Sequence, residues 1–135
     1  MLNIVADEQT IGCSVDKVFA FVSDFRNFSY LMPLQVHDYS AEKDTCQFTI
    51  TGMGPLNMMI KQRIEPTMIK AISVGNTPIS FELKVNLKDI NGESTVASLH
   101  IEAEVGTMLA ILARNPLQHF ANVLVQKLKE VCENP

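Results

Sequence analysis

The run Thr95-Val96-Ala97-Ser98-Leu99-His100-Ile101-Glu102-Ala103-Glu104-Val105-Gly106-Thr107-Met108-Leu109-Ala110-Ile111-Leu112-Ala113 changes its period once, at Gly106. Before the glycine, Ala97, Leu99, Ile101 and Ala103 alternate with Ser98, His100, Glu102 and Glu104. That is the two-residue repeat of a strand with one buried face. After it, Leu109, Leu112, Ala113, Pro116, Phe120, Val123, Leu124 and Val131 recur at helical spacing, which predicts a core-facing helix to about Val131. Arg114, Gln118, Asn122, Lys129 and Glu130 fall outside that arc. Pro116 lacks a backbone donor and predicts a kink or restart near Asn115.

Working back from this junction, Phe81, Leu83, Val85 and Leu87 oppose Glu82, Lys84, Asn86 and Lys88, and Asn91-Gly92 separates the two runs as a hairpin signal. Further candidate strands are Val36–Glu42, Thr45–Thr51, Leu56–Glu65 and Met68–Val74, beside Ile79–Lys88 and Thr95–Val105. Turn chemistry lies between them: Lys43-Asp44, Gly52-Met53-Gly54-Pro55, Glu65-Pro66 and Gly75-Asn76-Thr77-Pro78. Short connections require antiparallel pairing, so a meander follows. Either alternation of Met68–Val74 buries a plausible set, and its faces stay open.

The first third reads differently. Residues 2–11 alternate weakly as a first strand, and Ser14 is placed to cap a helix carrying Val15, Val18, Phe19, Val22 and Phe25 on one stripe. Asp24 can cap a second short helix through Leu31, stopped by Pro33. The chain has 135 residues, which fits one domain spanning 1–135.

Composition narrows function. A net charge of -4 without a basic stripe argues against nucleic acid. Met1-Leu2-Asn3-Ile4-Val5-Ala6-Asp7-Glu8 has no basic n-region or apolar run, and Met108–Ala113 is too short for a membrane span, so no stable membrane insertion is expected. Cys13, Cys46 and Cys132 form no C-x-x-C pair and read as reduced thiols, Cys46 as a small core residue. A cytoplasmic location is the expectation, and it makes the Asn27-Phe28-Ser29 sequon a chance match.

Ile11-Gly12-Cys13-Ser14-Val15-Asp16-Lys17-Val18-Phe19-Ala20-Phe21-Val22-Ser23-Asp24, Phe28-Ser29-Tyr30-Leu31-Met32-Pro33 and Asn115-Pro116-Leu117-Gln118-His119-Phe120 resemble the opening, second short helix and gripping helix of the START-like, or SRPBCC, superfamily. The likeness extends over essentially the whole chain. It implies an α+β helix-grip fold: a curved antiparallel sheet of about seven strands on a long C-terminal helix, with two short helices after the first strand. It also implies binding of a small hydrophobic or amphipathic molecule in an apolar cavity. The tryptophan that often closes the second helix is replaced here by Tyr30 and Leu31.

On that basis Met32, Phe48, Ile50, Met58, Ile60, Gln62, Phe81, Leu83, Leu99, Ile101, Met108, Leu112, His119 and Phe120 are the expected cavity wall. Gln62 alternates with Met58, Ile60 and Ile64 and is expected to point inward; His119 flanks the helix stripe, and Lys127 lies at its centre. Each of these polar groups has an ordinary alternative: core packing, an exposed flank, or an amine that snorkels out. His37, His100 and His119 have no metal-ligand spacing, and Gly52-Met53-Gly54 is too short for a dinucleotide loop, so no metal or cofactor is expected. The rows His100-Glu102-Glu104 and Asn57-Met59-Lys61-Arg63 should face solvent. Three readings follow: a binder of a small hydrophobic ligand, a cyclase or dehydratase using a cavity acid/base, and a protein-interaction module with a solid core. A homodimer is compatible with each. A ligand-sized interior void separates the first two from the third.

Overall fold

The computed structural model describes residues 1–135 except Asn76, Pro78 and Pro135. The turn expected at Gly75–Pro78 therefore lies partly outside the described residues. The alternating segments form strands β1 Leu2–Val5, β2 Gln9–Ile11, β3 Val36–Ala41, β4 Thr45–Ile50, β5 Gly54–Ile64, β6 Met68–Ser73, β7 Ser80–Asp89 and β8 Thr95–Glu104. The helices are α1 Val15–Val22, a 3-10 helix Phe25–Tyr30, and α2 Thr107–Glu133. All strand pairs are antiparallel, in the order β1-β8-β7-β6-β5-β4-β3, with β2 also on β8. The expected first strand is thus two short ones, interrupted at Ala6–Glu8, that share one partner.

Local chemistry starts the helices where the residues allow it. Ser14 has extended backbone and accepts from the Lys17 N–H, filling one of the free donors of the first turn. Asp24 does the same for the Arg26 N–H, and the Arg26 guanidinium turns back onto the same carboxylate. Both contacts hold the Asp24 carboxyl below its ordinary range, the side-chain bond from Arg26 being the main cause.

The inner face is apolar along the sheet. Cross-strand partners share a face, and Ile69, Val85 and Leu99 run across β6, β7 and β8 as one buried row. Lys70, Lys84 and His100 form the matching outer row. This settles β6, with Ile69, Ala71 and Ser73 facing inward. Asp38 takes positive φ (57°) where β3 slips register against β4, an irregularity that bends the strand. In the β4–β5 turn Gly52 sits at φ 88°, which a side chain would strain. Helix α2 lies across the inner face against β1, β2 and β8, and α1 packs on β7.

Helix α2 runs through Pro116 without the restart allowed for near Asn115, and its expected stripe is corrected. Its buried stripe is Ala113, Leu117, Phe120, Ala121, Leu124, Val125, Leu128 and Cys132, about one residue around from the expected arc. Leu109 and Leu112 are consequently exposed. No described helix is long and apolar enough to cross a membrane.

Candidate functional site

The sheet and α2 meet over a layer of apolar side chains. Within it lies an apolar void of about 10 Å³, lined by Phe48, Ile50, Leu56, Met58, Phe81, Leu83, Ile101, Leu117 and Phe120. This is roughly the room one water-sized sphere needs, and no polar partner faces it. The ligand-sized cavity implied by the resemblance is therefore not present as open space. The side chains close it: Phe120 stacks on Phe48 with ring centroids 5.7 Å apart and planes 9° apart. Tyr39 also stacks on Phe48, with centroids 5.9 Å apart, and its hydroxyl donates to the Phe25 carbonyl at 2.5 Å. A bent sheet and one helix can be filled if aromatics project from both.

Helix α2 is fastened unevenly. Gln118 donates to the Val5 carbonyl (2.9 Å), and the Asp7 N–H reaches Asn122 (3.4 Å). Further along, Lys129 donates to the Thr10 carbonyl (2.6 Å), and the Gly12 N–H donates to Glu133 (2.7 Å). Cys13 Sγ donates to the Cys132 carbonyl (2.8 Å). On the opposite flank, Lys127 Nζ donates to the Met32 carbonyl at 3.0 Å. Among the described residues none of these ties lies before Gln118. The first ten residues of α2 bury only Ala113, and Leu117 is the first large side chain to pack inward.

The expected wall residues divide accordingly. Phe48, Ile50, Met58, Phe81, Leu83, Ile101 and Phe120 surround the void; Ile60 and Leu99 are buried nearby in the core, and Met32 is half-buried against it. Gln62, Met108, Leu112 and His119 are exposed and do not face the interior. For Gln62 the reason is a register slip between Ile60 and Gln62, which pairs Gln62 with the outward Lys70 and turns Arg63 to the other face. Arg63 then reaches the Ser23 carbonyl and the Asp44 carboxylate in the β3–β4 turn. For Met108, Leu112 and His119 the reason is the rotated helix stripe. Lys127 neither enters the void nor swings free, since its amine is spent on Met32. Leu56 and Leu117 belong to the lining and escaped the sequence reading. The spacing Leu117, Phe120, Ala121, Leu124, Val125, Leu128 and Cys132 is the cleaner helical stripe and would have identified Leu117.

The titratable groups nearest this layer are held neutral. Burial raises the Tyr39 phenol far above its usual value, with the neighbouring Cys46 adding to the shift. Burial also pushes the Cys46 thiol up to about 12. Neither is an acid or base at neutral pH. Among the described residues no three His, Cys, Asp or Glu side chains converge as a metal site would need. A larger concavity of about 500 Å³ lies on β3, β4 and β5 beside Val74 and Gly75, but it is open to solvent and its one carboxylate, Glu42, is exposed.

No protein-family model matches the chain, and no curated protein matches it. Solved structures do resemble it. A conserved protein from Geobacillus kaustophilus superposes with a TM-score of 0.74 at 16% identity, covering 97% of this chain and 95% of the other. A START superfamily protein from Mycobacterium smegmatis gives 0.66 at 14% identity, covering 96% and 98%. A norcoclaurine synthase point mutant from Thalictrum flavum, in complex with a transition-state analogue, gives 0.72 at 10% identity, covering 97% and 94%. At these identities the likeness is one of architecture alone, and it spans nearly the whole of each chain. The chain has the START-like, SRPBCC helix-grip fold.

Proposed function

We propose that the chain binds a small, predominantly apolar molecule between the sheet and α2, in a pocket that must widen to admit it. The observation that carries this reading is the apolar void at Phe48 and Phe120, whose α2 residues, Leu117 and Phe120, flank Gln118, the first residue of the helix with a polar tie to the rest of the chain. Admission would rotate Phe120 and Leu117 and lift the helix before Gln118, leaving the ties from Gln118 onward intact. Apolar walls without a convergent polar group favour a hydrophobic ligand over a highly polar one. The transition-state analogue held by the norcoclaurine synthase mutant supports the idea that this architecture accommodates small molecules. Three buried free thiols are in keeping with a reducing, cytoplasmic setting.

Native mass spectrometry of the purified protein, with organic extraction of any bound species, is the first test. A fluorescent apolar probe titrated into wild type and a space-filling Leu117→Trp variant is the second, with circular dichroism to establish that the variant folds. Uptake by wild type and loss in the variant are expected. A protein that carries no extractable molecule and takes up no probe would overturn the proposal.

A second reading, an interaction module with a solid interior, is favoured by the void's size of about 10 Å³. The cyclase or dehydratase reading asks for an acid/base in the interior. His119 is exposed and the Tyr39 hydroxyl is engaged, so neither supports it.

A further inference from the structure

Two of the three free cysteines meet at the far end of α2. Cys13 lies in the bend between β2 and α1, and Cys132 in the last turn of α2, 119 positions later. The Cys13 thiol donates to the Cys132 carbonyl at 2.8 Å. That carbonyl is among the last four of the helix, which have no intrahelical donor, so the thiol serves as its cap.

The backbone around both thiols is held. Thr95, fully buried, donates through its hydroxyl to the Cys13 carbonyl at 2.9 Å. The Gly12 N–H donates to Glu133 at 2.7 Å, and a Cβ at position 12 would stand 3.3 Å from that same carboxylate oxygen. Lys129 bridges the Thr10 carbonyl and Glu133. Segments 10–13 and 129–133 are thus fixed at close range. Standard bond lengths and the 2.8 Å contact place the two Cα atoms within roughly 8 Å of each other. A disulfide spans about 4.4–6.8 Å between Cα atoms, so closure asks for a shift on the order of 1 Å. Burial pushes the Cys132 thiol up, and the adjacent Cys13 adds to the shift. Cys46 lies elsewhere, on β4 beside Tyr39.

We propose that Cys13 and Cys132 form a redox pair, which hydrogen peroxide closes into a disulfide that staples the end of α2 to the β2–α1 bend. Cys13, 8% exposed against 4% for Cys132, is the side from which a small oxidant arrives. Its sulfur attacks one peroxide oxygen, the O–O bond breaks, and a sulfenic acid and a first water are formed. The Cys132 sulfur then attacks the Cys13 sulfur, the S–O bond breaks, and the hydroxyl leaves with the Cys132 proton as a second water. In all, the two thiols lose two electrons and two protons, and the peroxide gains them. An external dithiol reverses the bond, so the pair rests open in a reducing compartment. Closing so long a loop constrains the unfolded chain strongly. The staple acts on the end of α2 that is already tied and leaves the turns before Gln118 as they are. The inference stands independently of whether the interior takes a ligand.

The test exposes the reduced, folded protein to a few equivalents of hydrogen peroxide, then unfolds it in urea with N-ethylmaleimide and weighs it. One labelled thiol, Cys46, is expected in place of three. A peptide pair joined through Cys13 and Cys132 should separate on adding dithiothreitol. The stapled protein should gain about 5–15 °C in Tm. Cys46→Ala should still close, whereas Cys132→Ala should show neither an intramolecular link nor the gain. If Cys132→Ala does not fold, the wild-type peptide map and Tm decide. The proposal is overturned if all three thiols stay reduced, or if the link forms only after unfolding. It is also overturned if the link uses Cys46 or joins two chains, or if closure leaves Tm unchanged or lowers it.

Discussion

Phe120→Ala removes the ring that closes the interior against Phe48. The ring is buried and stacked at 5.7 Å. Withdrawing a buried side chain of this size forfeits about 2–3 kcal/mol of transfer free energy. The vacated space, on the order of 80 Å³, adds about 2 kcal/mol at ~24 cal/mol per Å³. Partial collapse around Leu117 and Ile101 recovers some of this, so the expected loss is about 4 kcal/mol. For a chain of this length that is a drop in Tm of roughly 12–20 °C. Urea unfolding followed by circular dichroism is the assay, because the chain has no tryptophan to report by fluorescence. A loss below about 1.5 kcal/mol would refute the packing argument, since it means that Phe120 closes nothing.

Lys127→Met keeps the packed stem but strips the bond to Met32, and a destabilisation of about 1–2 kcal/mol in urea is expected; no change would mean that the tie is incidental. Burial pushes the thiols of Cys46 and Cys132 up to about 12 and about 11. Intact mass spectrometry after iodoacetamide at mildly alkaline pH should therefore show these two unlabelled in the native protein and labelled in urea. Rapid native labelling of either would contradict their burial. The Glu133 carboxyl is lowered from its ordinary 4.5, chiefly by the hydrogen bond from Lys129 and then by that from the Gly12 N–H. A depressed carboxylate contributes stability above its unfolded pKa and loses it as pH falls through the folded value. Glu133→Gln should thus lower Tm at neutral pH and converge with wild type in acid; a difference independent of pH would count against this tie.

The sequence made most of the fold legible because strands and helices announce themselves by period, most plainly where it changes at Gly106. Ser14 and Asp24 cap where capping chemistry places them. What could not be read were shifts of a single residue. Nothing in Met58-Met59-Ile60-Lys61-Gln62-Arg63 reveals the slip that turns Gln62 outward, because a bulge is set by strand pairing and not by local composition. The helix stripe was misplaced for a related reason. Leu109 and Leu112 are as hydrophobic as Leu117 and Leu124, so a pattern that counts apolar residues is drawn toward whichever end has more of them. The void's lining was mostly legible; its closure was not, since that depends on the stacking of Tyr39, Phe48 and Phe120 across two strands and a helix.

The excess of apolar residues that displaced the expected stripe is itself informative. A helix that needed only to cover the sheet would end its hydrophobic pattern where the sheet ends. In α2 the pattern divides near Pro116, with residues from Leu117 onward packed and tied at Val5, Asp7, Thr10, Gly12 and Met32. The preceding turns carry Met108, Ile111 and Leu112 into solvent without such ties. Pro116 sits at that division, and its missing N–H leaves the Leu112 carbonyl without its intrahelical partner. The helix therefore bends more easily there than elsewhere. A bend at Pro116 would lift the free turns while Gln118 and the later ties hold, and Leu117, next to the bend, would be the first residue of the void's lining to move. The same few residues thus separate the part of α2 that maintains the fold from the part available for partners.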